Sequence, residues 1–227
     1  MKKLVLFDVD GILIKSVSLG IISDLIKKNF GLTLSKSVKY YTEGKTYRKI
    51  LSDRLKEVGI AEPEKDERFE RAMKDTSIWK RKLEEGIKLE KISNVEDLIK
   101  LLIKREHIIG LLTGNPKEIA KVKLDSVGLW KYFKVGAFGS ESKVRADLIP
   151  LALKHVKEKF KIDFSKKDVF LIGDTLEDIN CAKIGGVRII AVARGKEPFE
   201  QLILEKPNFI FRDFSDVQVI LDVIENK

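Results

Sequence analysis

Asp8 and Asp10 stand two residues apart at the end of a short apolar run, Leu4-Val5-Leu6-Phe7. In an extended chain, residues i and i+2 point to the same side, so both carboxylates can face one place. A second acidic group, Asp174 and Asp178, follows another apolar run, Val169-Phe170-Leu171-Ile172-Gly173. Three or four carboxylates in a small volume repel one another. A hard divalent cation with oxygen ligands resolves that repulsion, and Mg²⁺ is the natural ion. A third run, Ile108-Ile109-Gly110-Leu111-Leu112, ends in Thr113-Gly114-Asn115. Backbone N–H groups there, at the expected start of a helix, form an anion site together with the Thr113 hydroxyl. A cation site beside an anion site implies phosphate. Gly11 lets the chain turn sharply after Asp10.

The fold must bring these strand ends together. Apolar runs at residues 3–7, 108–112, 135–138, 169–172 and 188–192, with a weaker one at 208–211, are of the kind buried on both faces of a parallel sheet. Helical patterns lie between them, at about 94–104, 117–127, 147–160, 176–184 and 215–224. Ser93-Asn94-Val95-Glu96 is read as a capping box opening the first of these. The alternation predicts an α/β fold, a Rossmann-like doubly wound parallel sheet of order 3-2-1-4-5. Strand one is then central, with strands two and four beside it. Their carboxyl ends meet at the crevice where such sheets bind ligands.

Residues 15–90 break the alternation. They carry only helical periodicity, at 19–30, 47–58 and 64–85, each followed by a glycine. So long a crossover cannot be a simple loop. The expected organisation is a core of residues 1–14 and 89–227 with an all-helical cap at 15–88.

The 227 residues include 44 Lys+Arg against 35 Asp+Glu, a formal net charge of +9. Basic and acidic residues are interleaved, as on a solvated surface, and nucleic acid is not expected as a partner. One cysteine, Cys181, excludes a disulfide framework, and two histidines, His107 and His155, exclude a His-rich metal site. Cys181 is expected to be a small buried apolar residue, and the two histidines to be structural or surface groups. No apolar stretch is long enough to span a membrane. The run after Met1 stops at Asp8, too short for a signal peptide, so a cytoplasmic protein is expected.

Taken together, four blocks resemble the phosphatase branch of the haloacid dehalogenase (HAD) superfamily of hydrolases. They are Asp8-Val9-Asp10-Gly11, Leu112-Thr113-Gly114-Asn115, a basic residue within Lys143-Val144-Arg145, and Gly173-Asp174-Thr175-Leu176-Glu177-Asp178. The helical insertion is similar to that of phosphoglycolate phosphatase and β-phosphoglucomutase. The resemblance implies a Mg²⁺-dependent phosphatase acting on a small phosphorylated metabolite, possible substrates being phosphoglycolate-like. It makes Asp8 the nucleophile and Asp10 the general acid and base, whose backbone carbonyl also binds the metal. It places Asp8 and Asp174 on the metal as well, with Asp178 as a further ligand or as a group that orients the others. Thr113, Gly114 and Asn115 grip the phosphoryl group, and Lys143 or Arg145 neutralises it. The block around them favours Lys143 slightly. Lys45 and Arg48, between two cap helices, would take a second anionic group on the substrate. Ile12 stands where relatives usually carry Thr. The alternatives are a phosphomutase of the same fold and a catalytically weak HAD-like protein that binds nucleic acid.

Overall fold

The computed structural model describes residues 1–17, 19–35, 42–195 and 197–225. Residues 18 and 36–41 of the expected insertion lie outside the described residues. Six parallel strands form one sheet in the order β3-β2-β1-β4-β5-β6. They are β1 (Leu4–Phe7), β2 (Ile108–Thr113), β3 (Gly136–Phe138), β4 (Val169–Gly173), β5 (Arg188–Val192) and β6 (Phe209–Phe211). The expected order holds, and the weak run at 208–211 adds a sixth strand at the edge. Partly buried aromatics, Phe209 and Phe211, mark it as a border strand.

Successive side chains of a strand face opposite ways. Accordingly Val5 and Phe7 enter one apolar cluster, while Leu4 and Leu6 enter the other. Helices α5 (Val95–Lys104), α6 (Lys117–Ser126) and α10 (Val217–Glu225) cover the first face. Helices α7 (Leu148–Phe160), α8 (Leu176–Gly185) and the short α9 (Phe199–Leu204) cover the second. The buried stripes have helical spacing: Val95, Leu98, Ile99 and Leu102 on α5, and Leu148, Ile149, Ala152 and Val156 on α7. Each fully buried aliphatic side chain contributes about 1.5–3 kcal/mol.

Between β1 and α5 lie, among the described residues, four α-helices, α1 (Ile21–Phe30), α2 (Tyr47–Glu57), α3 (Arg68–Lys74) and α4 (Ser77–Glu84). The chain enters and leaves this segment side by side. Lys15 N donates to Glu90 O at 2.9 Å, and Ile92 N donates to Leu13 O at 3.1 Å.

Two local expectations are corrected. Residues 64–85 do not form one helix, because α3 ends at Lys74 and α4 starts at Ser77. The Asp75 carboxylate accepts the Ser77 N–H at 2.9 Å, a local bond that competes with the helical one. Likewise Ser93 to Glu96 is no capping box. Asn94 sits at φ 63° without a side-chain cap. Glu96 instead pairs with Lys91 at 2.6 Å and Lys100 at 3.1 Å and accepts from the Tyr132 hydroxyl at 2.8 Å. Three charge-assisted or phenolic partners outcompete one backbone amide.

The histidines and the cysteine are structural. His107 Nδ1 accepts from Lys3 N, His155 Nδ1 contacts Gly136 O at 2.9 Å, and Cys181 is buried.

Asp75 joins α1 to α4, accepting from Lys28 at 2.8 Å and Asn29 at 2.9 Å. Burial pushes its carboxyl up, but hydrogen bonds from Lys28, Ser77 and Asn29 outweigh this and hold it well below the usual range. A depressed folded-state pKa contributes stability above the unfolded value of about 3.9 and loses it as pH falls further. Asp75→Ala is expected to cost about 1–3 kcal/mol near neutral pH. That deficit, measured by urea unfolding, should shrink below about pH 4. A deficit independent of pH would mean that the ionised carboxylate is not what holds α1 and α4 together.

Candidate active site

Asp8 directly follows β1, and the next residues turn through Gly11 at φ 86°. A Cβ at Gly11 would fall onto the Asp174 carboxylate, and so would one at Gly195. Asp174 therefore sits in a cradle that only glycines leave open. Asp174 directly follows β4, and the parallel pairing of β1 with β4 aligns Phe7 with Ile172. This register brings the two acids to the same end of the sheet.

Asp178 lies in the first turn of α8, in a capping box that is present here. Thr175 Oγ1 accepts from Asp178 N at 3.1 Å, and Asp178 Oδ2 accepts from Thr175 N at 3.1 Å. Asp178 is fully buried. Oxygens of Asp8, Asp174 and Asp178 all lie within 4.8 Å of one another.

Arg145 opens a short 3-10 turn, Arg145–Asp147, after β3. Its Nη2 donates to Asp8 Oδ2 at 2.9 Å and to Asp178 Oδ1 at 2.5 Å. Its Nη1 donates to Gly44 O at 2.8 Å. Lys143 points elsewhere: its Nζ pairs with Glu64 at 2.6 Å and is well exposed. The side chains at 143 and 145 diverge at the turn, so the structure places Arg145, not the favoured Lys143, beside Asp8.

Asp10 occupies the other side of the cleft. Asn115 Nδ2 donates to its Oδ2 at 2.7 Å and to Thr113 Oγ1 at 3.0 Å. Lys123 Nζ donates to Asp10 Oδ1 at 2.9 Å and Oδ2 at 2.7 Å, and to Asn115 Oδ1 at 2.9 Å. Lys123 is a site residue that the motifs do not reveal. Its signal is positional: it shares the buried stripe of α6 with Ile119, Ala120 and Leu124. A lysine there, spaced i,i+4 from Ile119, requires a buried partner. Ile12 is fully buried, so no side-chain hydrogen bond reaches the turn from that position.

The loop before α2 closes over this end of the sheet. Tyr47 N donates to Gly114 O at 2.7 Å, Arg48 N to Gly139 O at 3.0 Å, and Thr46 Oγ1 to Lys143 O at 3.0 Å. Gly44 sits at φ 66°, and a Cβ there would strike Glu177 and Thr175. The resulting cleft, about 410 Å³, is lined by Asp8, Asp10, Thr113, Arg145 and Asp174 on the sheet side, with Lys45 above. Arg48 does not line it. Its guanidinium is drawn to Ser140 O at 2.7 Å, Glu64 at 3.0 Å and Glu70 at 2.5 Å. The expected role for Arg48 in holding substrate is thus corrected to tying α2 to its neighbours.

The cluster is short of positive charge. Burial pushes Asp8 up to about 6; Arg145 opposes that, and Asp178 and Asp10 add to it. Burial, then Asp178 and Asp8, push Asp174 well above the usual carboxylate range. Among the described residues, nothing hydrogen-bonds the buried Asp174 Oδ1. A set of hard oxygen donors with an unpartnered buried carboxylate oxygen fits Mg²⁺.

The chain matches the family model of haloacid dehalogenase-like hydrolases over residues 5–192, and it belongs to that family. It is 25% identical to phosphoglycolate phosphatase 1 of Pseudomonas aeruginosa over 226 residues, covering 96% of this chain and 79% of that protein. Among solved structures it resembles a predicted phosphoglycolate phosphatase from Haemophilus somnus, with a TM-score of 0.65 and 21% identity over 97% of this chain and 98% of that one. It is similar in the same way to a structure from Thermotoga maritima assigned as a beta-phosphoglucomutase, with a TM-score of 0.61 and 20% identity over 99% of each chain. At these identities the structural likeness speaks for the fold.

Raised carboxylates make the ion-free cluster unfavourable once both acids ionise. The cost enters as pH rises from about 4, the unfolded value, through the raised folded values, and it persists above them. Mg²⁺ is therefore expected to raise Tm more at about pH 7.5 than at about pH 5, where protons compete with it. Scanning calorimetry with and without the ion checks this. An equal shift at both pH values would mean that it binds elsewhere.

Proposed function

We propose that the chain is a Mg²⁺-dependent phosphatase, a phosphoric monoester hydrolase of the cytoplasm that releases phosphate from a small monoester such as phosphoglycolate through an aspartyl-phosphate on Asp8. The observation that carries this reading is the buried triad Asp8, Asp174 and Asp178, with one guanidinium bridging Asp8 to Asp178. Residues 15–88 act in it as a cap on a core of residues 1–14 and 89–227.

Asp8 and Asp174 would hold the ion together with the Asp10 backbone carbonyl. Both oxygens of Asp178 are engaged, Oδ1 by Arg145 and Oδ2 by Thr175, which suits it to orienting its neighbours. When bound, the ion supplies charge neutralisation between carboxylate and phosphoryl oxygens.

In the first step an Asp8 carboxylate oxygen attacks phosphorus. The P–O bond to the alcohol breaks, and Asp10 donates a proton to the departing oxygen. Arg145 faces the nucleophile and offsets charge building on the phosphoryl oxygens. Backbone groups of Thr113 and Gly114 and the Thr113 hydroxyl orient that group from the other side, with Asn115 fixing Thr113. In the second step Asp10, now ionised, takes a proton from water. The water oxygen attacks phosphorus, the bond to Asp8 breaks, and inorganic phosphate leaves.

Phosphate release from p-nitrophenyl phosphate and phosphoglycolate is expected with Mg²⁺ and not after chelation by EDTA. Asp8→Asn should lower kcat by at least about 10³-fold while the fold persists, since an amide is a very poor nucleophile. Asp10→Asn should lose about 10²–10⁴-fold, the range of one acid–base group. Rapid-quench measurement of protein-bound phosphate should show it accumulating in Asp10→Asn. Turnover by Asp8→Asn near the wild-type rate would exclude it as nucleophile. An isomerised sugar phosphate in place of free phosphate would mark a phosphomutase.

A further inference from the structure

The leaving-group side of the cleft holds a cation that the reaction just described does not use. Lys123 is 5% exposed, and its ammonium group lies 4.5 Å from the centre of the Trp79 ring on α4. Trp79 and Lys123 both line the cleft. The ammonium thus sits between Asp10 on the core and an aromatic face from the helical segment. A buried ammonium needs an anionic partner, and in the substrate-free site that partner is Asp10, at 2.7 and 2.9 Å.

Asp10 must lie within hydrogen-bond reach, about 2.6–3.2 Å, of the alcohol oxygen it protonates. The Lys123 ammonium is bonded to the same carboxylate, at 2.7 and 2.9 Å, and so lies on the side of the cleft where the alcohol and its ester carbon depart. Of the other buried cations of the cleft, Arg145 pairs with Asp8 and Asp178, and Arg54 pairs with Glu57 at 2.6 Å.

Resting on the phosphatase reading for the identity of Asp10, we infer that Lys123, lidded by Trp79, is the specificity-determining residue of the cleft, selecting phosphate monoesters whose ester carbon carries a carboxylate. That carboxylate meets a nearly buried ammonium, so the pair is stronger than it would be in open solvent. Monoesters with a neutral alkyl group offer it nothing.

Binding tests this without turnover. Isothermal titration of Asp8→Asn in Mg²⁺ would compare 2-phosphoglycolate with ethyl phosphate, which carries a methyl group in place of the carboxylate. The expected preference for 2-phosphoglycolate is about tenfold or more. Adding Lys123→Gln, which keeps a donor toward Asp10 and Asn115 but not the charge, should bring the ratio close to one. Lys123→Arg, which keeps the charge, should retain most of it. Lys123→Met gives the same reading should the glutamine variant fold poorly. A ratio near one with Lys123 intact, or a ratio that survives its neutralisation, overturns the inference. So does loss of the ratio in Lys45→Ala alone, which would make Lys45 the reader. A binding preference without phosphate release by the wild-type chain would sink the phosphatase reading and leave the role of Lys123 standing.

Discussion

One nitrogen of Arg145 donates to both Asp8 and Asp178, and its other terminal nitrogen donates to the carbonyl of Gly44. Three carboxylates converge here, and this guanidinium is the cation that touches two of them. Its planar fork suits such bridging better than an ammonium would. Removing it would leave the fully buried Asp178 carboxyl without its charged partner, a loss on the scale of about 3–5 kcal/mol. The guanidinium also explains why the acids are not simply neutral. With Arg145 in place, Asp8 rises only to about 6, so its carboxylate form is still available near neutral pH.

The charge count then describes the site. Asp10 and Lys123 cancel one another. Once all three are ionised, Asp8, Asp174 and Asp178 set against Arg145 leave two negative charges, the deficit that a divalent ion fills. The unpartnered Asp174 oxygen is the structural mark of that deficit. The cluster is tolerable as a protein interior only because the Asp178 carboxylate is fully hydrogen-bonded by Arg145 and the Thr175 capping box.

The order of the sheet and the convergence of Asp8, Thr113 and Asp174 were legible because apolar strands ending in polar residues leave a clear trace in one dimension. The choice between Lys143 and Arg145 was not. Two basic residues two apart look alike until a 3-10 turn sends one inward and the other to Glu64. Arg48 misled for a related reason: a cationic loop residue near the cleft binds whichever carboxylates are closest, and α3 and the turn before it supply Glu70 and Glu64. Lys123 went unseen because a lysine on an amphipathic helix is ordinarily solvent-facing. Its place on the Ile119–Ala120–Leu124 stripe of α6 was the available clue. The break at Asp75 lay below the resolution of hydrophobic periodicity, since an Asx bond to Ser77 leaves the apolar spacing on either side intact.

The same elements settle how the helical segment meets the sheet. The first N–H groups of a helix have no partner within it. In α2 these are Tyr47 and Arg48, and they donate to Gly114 and Gly139, carbonyls of the core loops after β2 and β3. Gly114 and Gly139 themselves approach so closely that a side chain on either would collide with backbone. These backbone bonds add to an apolar contact, since Leu25, Phe69, Met73 and Trp79 of the segment share one buried cluster with Phe7, Ile119 and Leu124 of the core. Each such bond is worth only about 0.5–1.5 kcal/mol net, because water can replace it. The Gly44 carbonyl adds one further contact, and that contact is to Arg145 itself. Closure of the loop and placement of the guanidinium beside Asp8 are therefore a single event. The segment thereby supplies one of the acceptors that hold the cation between the acids.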